Sequence, residues 1–239
     1  MNVNDMVVTA EDLAVRCKLQ EIFNRQKELM KIYDPIEVAS GLTQTEDVPV
    51  DMHDRMGQAR LKDFAWRITE ELTECTDALE KHPNDEVHFR EEIIDAFHFY
   101  IELMILSDME MEFLYKSFPD EYELGRESFF DLLVDGADFG IRFNPNPPTD
   151  AEKSVRLDEV SVLCWEVTEN MGKAMNCLKN KPWKQAQMLT DVHVYQQHIL
   201  YGLFSMFRLM LAVGMASDDM YEMYILKNKV NKFRQKSNY

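Results

Sequence analysis

Basic residues are scarce in this chain. Lys and Arg number 26 against 43 Asp and Glu, a net charge of -17. Such an acidic balance excludes a general nucleic-acid binder, whose phosphate contacts need clustered cations. It also argues against an anionic membrane surface as partner. Glycine and proline are few as well, eight of each in 239 residues, which leaves little material for a turn-rich sheet fold. The four cysteines, Cys17, Cys75, Cys164 and Cys177, have no CxxC spacing and no disulfide framework. No apolar run approaches the ~20 residues of a membrane span. The opening stretch carries Asp5, Glu11 and Asp12 before its first basic residue, unlike a secretory leader. The expectation is a soluble, reduced, cytoplasmic protein.

What the chain does have is helix-forming material. Hydrophobic residues make up 46% and methionines number sixteen, a globular composition that favours long helices. The pattern Leu13, Cys17, Ile22, Leu29, Ile32 predicts a helix from about Ala10 that stops at Asp34-Pro35. Further helices are expected from Gln58 to Lys81, from an Asp85 N-cap to Leu106, from Asp158 to Leu178, from Ala186 to Val213, and from a Ser217 N-cap to Arg234. No strand-like alternation stands out. The reading is all-α, a multi-helix bundle in a single domain over 1–239, with an irregular insertion at about 107–150 in which a helical-looking segment, Glu127 to Phe139, lies between turn-rich stretches.

Two acidic clusters lie between Trp66 and Glu102. Glu70, Glu71 and Glu74 form the first; Glu91, Glu92 and Asp95 form the second. Helical spacing of three or four residues points each set one way. Neither cluster is followed, four residues on, by a Lys or Arg, which a solvated charge run usually carries. Packed carboxylates call for a compensating cation, and oxygen-only ligands suit a hard divalent ion such as magnesium. Glu91, Asp95, His98 and Glu102 share one stripe, with Ile94, Phe97 and Ile101 beside it. A diiron carboxylate bundle would need Glu-x-x-His on two helices, and only Asp95-x-x-His98 approximates it.

The end of the chain reverses the charge. From Met220 to Tyr239 there are five basic residues, Lys227, Lys229, Lys232, Arg234 and Lys236, against Glu222 alone. Lys227, Asn231 and Arg234 fall on one helical face and together offer ammonium, amide and guanidinium groups. Such a face suits a triphosphate and a polar sugar or base edge. A basic helix end that complements the macrodipole would look the same.

These residues resemble a known family. Glu71-x-x-Glu74, then Glu92-x-x-Asp95 followed by AFHF, then the terminal YILKNKVNKFRQKSNY, are similar to the motifs of the all-α NTP pyrophosphatases, in their dimeric dUTPase and T-even phage dCTP pyrophosphatase branches. The resemblance implies a MazG/dimeric-dUTPase-like bundle with a four-helix metal-binding core. It implies hydrolysis of a deoxynucleoside triphosphate, dUTP or dCTP or both, to monophosphate and pyrophosphate. Glu71, Glu74, Glu92 and Asp95 would hold two or more Mg2+ ions, with Mn2+ as a substitute. Glu71, Glu74 or neighbouring Glu70 would position or deprotonate the water. Gln26, Lys227, Asn231, Arg234 and Tyr239 would hold the nucleotide, and Trp183 would close over it. An asparagine expected four residues after Gln26 is Met30 here, which leaves the base unassigned. Purine or modified nucleotides, or a non-catalytic helical adaptor, are the rival readings. Apolar stripes and the Met-rich MFRLMLAVGM segment allow a homodimer.

Overall fold

The computed structural model describes residues 7, 9, 17–41, 47–125, 127–137, 150–179, 185–186 and 188–237. Among them are nine helices and no strand. Helix α1 (Lys18–Ser40) runs through Pro35 instead of stopping before it. Proline removes one helical N–H, but two ion pairs to the next helix hold the extra turn in place. Arg60 Nη2 reaches Asp34 Oδ1 at 2.6 Å and Arg67 Nη1 reaches Glu37 Oε1 at 2.6 Å. The helix ends at Gly41, whose φ of 75° is the left-handed cap that glycine supplies without strain.

Helix α2 (Arg55–Lys81) starts slightly ahead of Gln58 because the Asp54 carboxylate accepts from the backbone N–H groups of Met56 and Gly57, at 2.7 and 3.1 Å. Asp85 caps α3 (Glu86–Leu106) as expected, accepting from His88 N at 3.2 Å. The short link at 82–85 folds α2 and α3 into a hairpin. Leu61, Phe64, Ile68, Leu72, Cys75 and Leu79 of α2 are buried at helical spacing, and the apolar face of α3 packs against them.

Within the insertion, the helical-looking segment is a helix among the described residues, and two shorter helices precede it. The insertion holds α4 (Met111–Ser117), α5 (Pro119–Leu124) and α6 (Phe129–Ala137). Phe129, Phe130, Leu133, Val134 and Ala137 are buried, so α6 belongs to the core rather than to an appendage. Proline at the first position of α5 starts that helix at no hydrogen-bond cost, which is how a turn-rich sequence becomes helical.

Helix α7 (Asp150–Cys177) begins ahead of the expected Asp158. Helix α8 (Val192–Ala212) begins after the expected Ala186, where Asp191 accepts from Val194 N at 3.3 Å. Together α7 and α8 form a second pair that packs on α2 and α3. Gly202 permits this closeness: a Cβ there would lie 2.5 Å from Tyr100 Oη and 2.8 Å from Met171 Cε. Helix α9 (Ser217–Lys236) is capped at Ala216, not at Ser217; Asp219 accepts from Ala216 N at 2.9 Å, and Ser217 donates to Asp131 instead.

Helix α9 lies against α1 and α3, away from the α7–α8 pair. Phe97 of α3 sets its ring edge-on to Phe207 of α8 at 6.1 Å and to Tyr224 of α9 at 5.7 Å, tying the two sides together. Within the MFRLMLAVGM segment, Met206, Phe207, Leu209, Met210, Val213 and Met215 are buried in this chain's own core. Arg208, Leu211 and Gly214 of the same segment keep partial exposure. No single helix among the described residues is long and apolar enough to cross a membrane.

Candidate metal and nucleotide site

The α2–α3 hairpin brings the two acidic clusters face to face. One carboxylate oxygen each from Glu71, Glu74 and Glu92 lies within 4.8 Å of the others. Helical spacing explains the α2 pair, and the hairpin register explains why Glu92 joins it. Burial raises the Glu71 acid most, and Asp95, Glu74 and Glu92 raise it further, to about 8. Burial, then Asp95 and Glu74, raise Glu92 in the same direction. Carboxylates held at this spacing repel each other, and a divalent cation removes the repulsion. An all-oxygen donor set of this kind fits magnesium or manganese, and not a soft metal.

Asp95, the fourth expected ligand, sits differently. Its Oδ2 is 2.5 Å from Lys227 Nζ of α9. Burial raises its acid, and Lys227 opposes that shift. The terminal helix thus lays its first cation directly on the acidic hairpin, across a sequence separation that no local rule reads. Lys227, Asn231 and Arg234 line one cavity of about 270 Å³ together with Glu71 and Asp95. Carboxylates and cations meet on its walls, an arrangement that suits a metal–phosphate ligand.

The opposite wall of the cavity comes from α1 and α3. Gln26, 2% exposed, donates Nε2 to Glu102 Oε2 at 2.7 Å and accepts from the Tyr224 hydroxyl at 2.6 Å. Tyr33 and Phe99 add aromatic surface. His98 Nδ1 bonds the Ile94 carbonyl at 2.9 Å, and its ring stacks on Tyr224 with centroids 3.8 Å apart. Burial pushes the His98 pKa down to about 3, so the imidazole is neutral and Nδ1 is the donor. His98 is not among the side chains that converge on the carboxylate cluster, Glu71, Glu74 and Glu92, so the cluster lacks the histidine of the diiron pattern.

Other expected site residues fall elsewhere. Glu70 is exposed and accepts from Trp66 Nε1 at 2.8 Å; it lines a surface recess that Trp66, Glu74 and Asp77 share. Met30 is buried at 2% and lends no polar group to the cavity. Trp183 and Tyr239 lie outside the described residues. Lys229 and Lys232 turn away from the cavity, to the Val7 carbonyl and to Glu28.

Arg67 and Glu102 line the cavity without having been assigned a role from sequence. Arg67 precedes Glu71 by one helical turn, a spacing that does signal a shared face. It pairs with Glu37 and Asp63 and lies over the Phe64 ring at 4.5 Å. Glu102 stood on the right stripe of α3, but its burial depends on α1 and α9 and is invisible locally.

Fold and site together define an all-α protein whose paired helices set a carboxylate cluster able to hold a metal ion beside a basic terminal helix. The particular family follows from comparison: residues 18–239 match the family model described as dUTPase, and the chain belongs to the dUTPase family. Membership makes it a nucleotide pyrophosphatase of the type that uses a divalent metal. No curated protein and no solved structure matches the chain.

The raised acids carry a stability prediction. Between the ordinary glutamate value of 4.5 and about 8, the folded chain keeps protons on Glu71 and Glu102 that the unfolded chain releases. Folded protein then binds more protons than unfolded protein, so metal-free stability falls as pH rises through that window. Thermal melts in chelator from pH 5 to pH 8.5 should show a falling Tm, with a shallower fall in Glu71→Gln. An equally steep fall in that variant would remove Glu71 as a contributor.

Proposed function

We propose that this protein is a single-domain pyrophosphatase that hydrolyses the pyrimidine deoxynucleoside triphosphates dUTP and dCTP to monophosphate and pyrophosphate with Mg2+. One observation carries the reading: Glu71 belongs both to the carboxylate cluster and to the cavity that Lys227, Asn231 and Arg234 line. Glu71, Glu74, Glu92 and Asp95 would hold the metal. When bound, magnesium supplies positive charge that draws phosphate oxygens and makes water a better nucleophile.

The chain's own residues account for the rest. Lys227 pairs with Asp95 here, and with a cation held by the acids it would be free to turn to phosphate oxygens. Arg234 adds a planar, bidentate phosphate contact and Asn231 a neutral one. Glu71, which belongs both to the cluster and to the cavity, orients the attacking water and accepts its proton. Glu70, held by Trp66, stays at the rim. Gln26 meets the nucleoside end, against Tyr33 and Phe99. Attack at the α-phosphate leaves pyrophosphate as one piece.

Incubation with each of the four common dNTPs and dUTP, with and without Mg2+, tests this. Chromatography should show the pyrimidine monophosphate and pyrophosphate appearing only with metal. Release of orthophosphate, or turnover unchanged in chelator, would overturn the assignment.

A further inference from the structure

The cavity ends on a buried acid that the hydrolysis does not use. Glu102 lines it at 7% exposure. Its Oε2 accepts from Gln26, whose own oxygen accepts from Tyr224. This chain of bonds fixes the Gln26 amide, with nitrogen toward Glu102 and oxygen toward Tyr224. Glu102 Oε1 makes no hydrogen bond to the described residues, yet it is not among their sealed-off polar atoms. A polar oxygen left unpaired on a cavity wall awaits a ligand group.

Burial raises the Glu102 acid most; the Gln26 hydrogen bond lowers it, Glu37 and Asp34 of α1 raise it, and Arg60 of α2 lowers it, leaving it at about 8. Arg67 of α2 and the neutral His98 of α3 also line the cavity, and Tyr224 of α9 closes the chain behind Gln26. With Oε2 taken as the acceptor for Gln26, the proton of the neutral acid belongs on Oε1.

Building on the pyrimidine reading above, we propose that Glu102 reads the base in this cavity: its Oε1–H donates to an acceptor on the base edge, the ring N3 of cytosine or the exocyclic O4 of uracil. A glutamine offers the same donor beside the same acceptor without the ability to ionise, and a leucine offers neither. The two substitutions therefore separate a hydrogen-bonding role from a packing role.

Steady-state kinetics on dCTP, dUTP and 3-deaza-dCTP, which lacks the N3 acceptor, test this with wild type, Glu102→Gln and Glu102→Leu. At pH 7, Glu102→Gln should keep KM for dCTP within about threefold, whereas Glu102→Leu should raise it about tenfold with kcat nearly unchanged, the scale of one lost hydrogen bond. Wild type and Glu102→Gln should discriminate against 3-deaza-dCTP, and Glu102→Leu should not. Above pH 8, KM for dCTP should rise in wild type as the acid ionises and stay level in Glu102→Gln. Thermal melts identify any variant that fails to fold, and Glu102→Gln then decides through its pH profile alone. An unchanged KM in Glu102→Leu, or matching pH profiles in wild type and Glu102→Gln, overturns the proposal while leaving the hydrolase reading intact. Wild type that turns over no pyrimidine triphosphate overturns both.

Discussion

Glu74→Gln is expected to lose more than about 100-fold in kcat while keeping its helical fold, since changes merely adjacent to metal ligands already cost about 10–100-fold. Glu74 is exposed, and its carboxylate oxygen lies within 4.8 Å of those of Glu71 and Glu92. Removing its charge deletes one donor and relieves repulsion within the cluster. Activity and metal-free stability should therefore move in opposite directions: turnover collapses while Tm in chelator holds or rises. Asp95→Asn should lose turnover similarly, but it also breaks the 2.5 Å ion pair to Lys227, so its Tm should not rise. Circular dichroism and pyrophosphate release measured on the same samples check both variants. Retained turnover in both would remove the metal role of this hairpin.

Phe97→Ala is expected to be the most damaging single change to stability, at ~3–5 kcal/mol, the range for truncating a buried Phe that cannot be refilled. The ring is fully buried and stands edge-on to Phe207 and Tyr224. Those partners belong to α8 and α9, so the cavity left behind opens at the junction of three helices and cannot close by a local shift. For a chain of this length the loss corresponds to a fall of roughly 6–20 °C in Tm. Urea denaturation should show a lower midpoint with little change in slope. A loss below ~1 kcal/mol would mean that the junction relaxes around the missing ring. Substrate affinity should weaken as well, because Tyr224 stacks on His98 and orients Gln26.

Local sequence made the α2–α3 hairpin legible. Apolar residues recur at helical spacing from Leu61 to Leu79, His82-Pro83 interrupts them, and Asp85 restarts the helix. The acidic pairs could be read because helical neighbours three apart share a face whatever surrounds them. Specific contacts decided the boundaries that were misread. Ion pairs from Arg60 and Arg67 carry α1 past Pro35, and the Asp191 cap starts α8 later than Ala186. Propensity is a weak prior, and such contacts override it.

The site divides in the same way. The residue types, the spacing of Glu71, Glu74, Glu92 and Asp95, and the basic end of the chain are properties of the sequence, and their ordered resemblance to the all-α NTP pyrophosphatases indicated the reaction class. Which acids converge is a property of the fold: Glu92 meets Glu71 and Glu74, whereas Asp95 is taken by Lys227 and Glu70 by Trp66. Glu102 shows why. On its own helix it is one more acid on a charged stripe, but α1 and α9 close over it and supply Gln26 and Tyr224. Helical periodicity sets which way a side chain faces; only the packing of distant helices decides whether water, a cation or another side chain stands there.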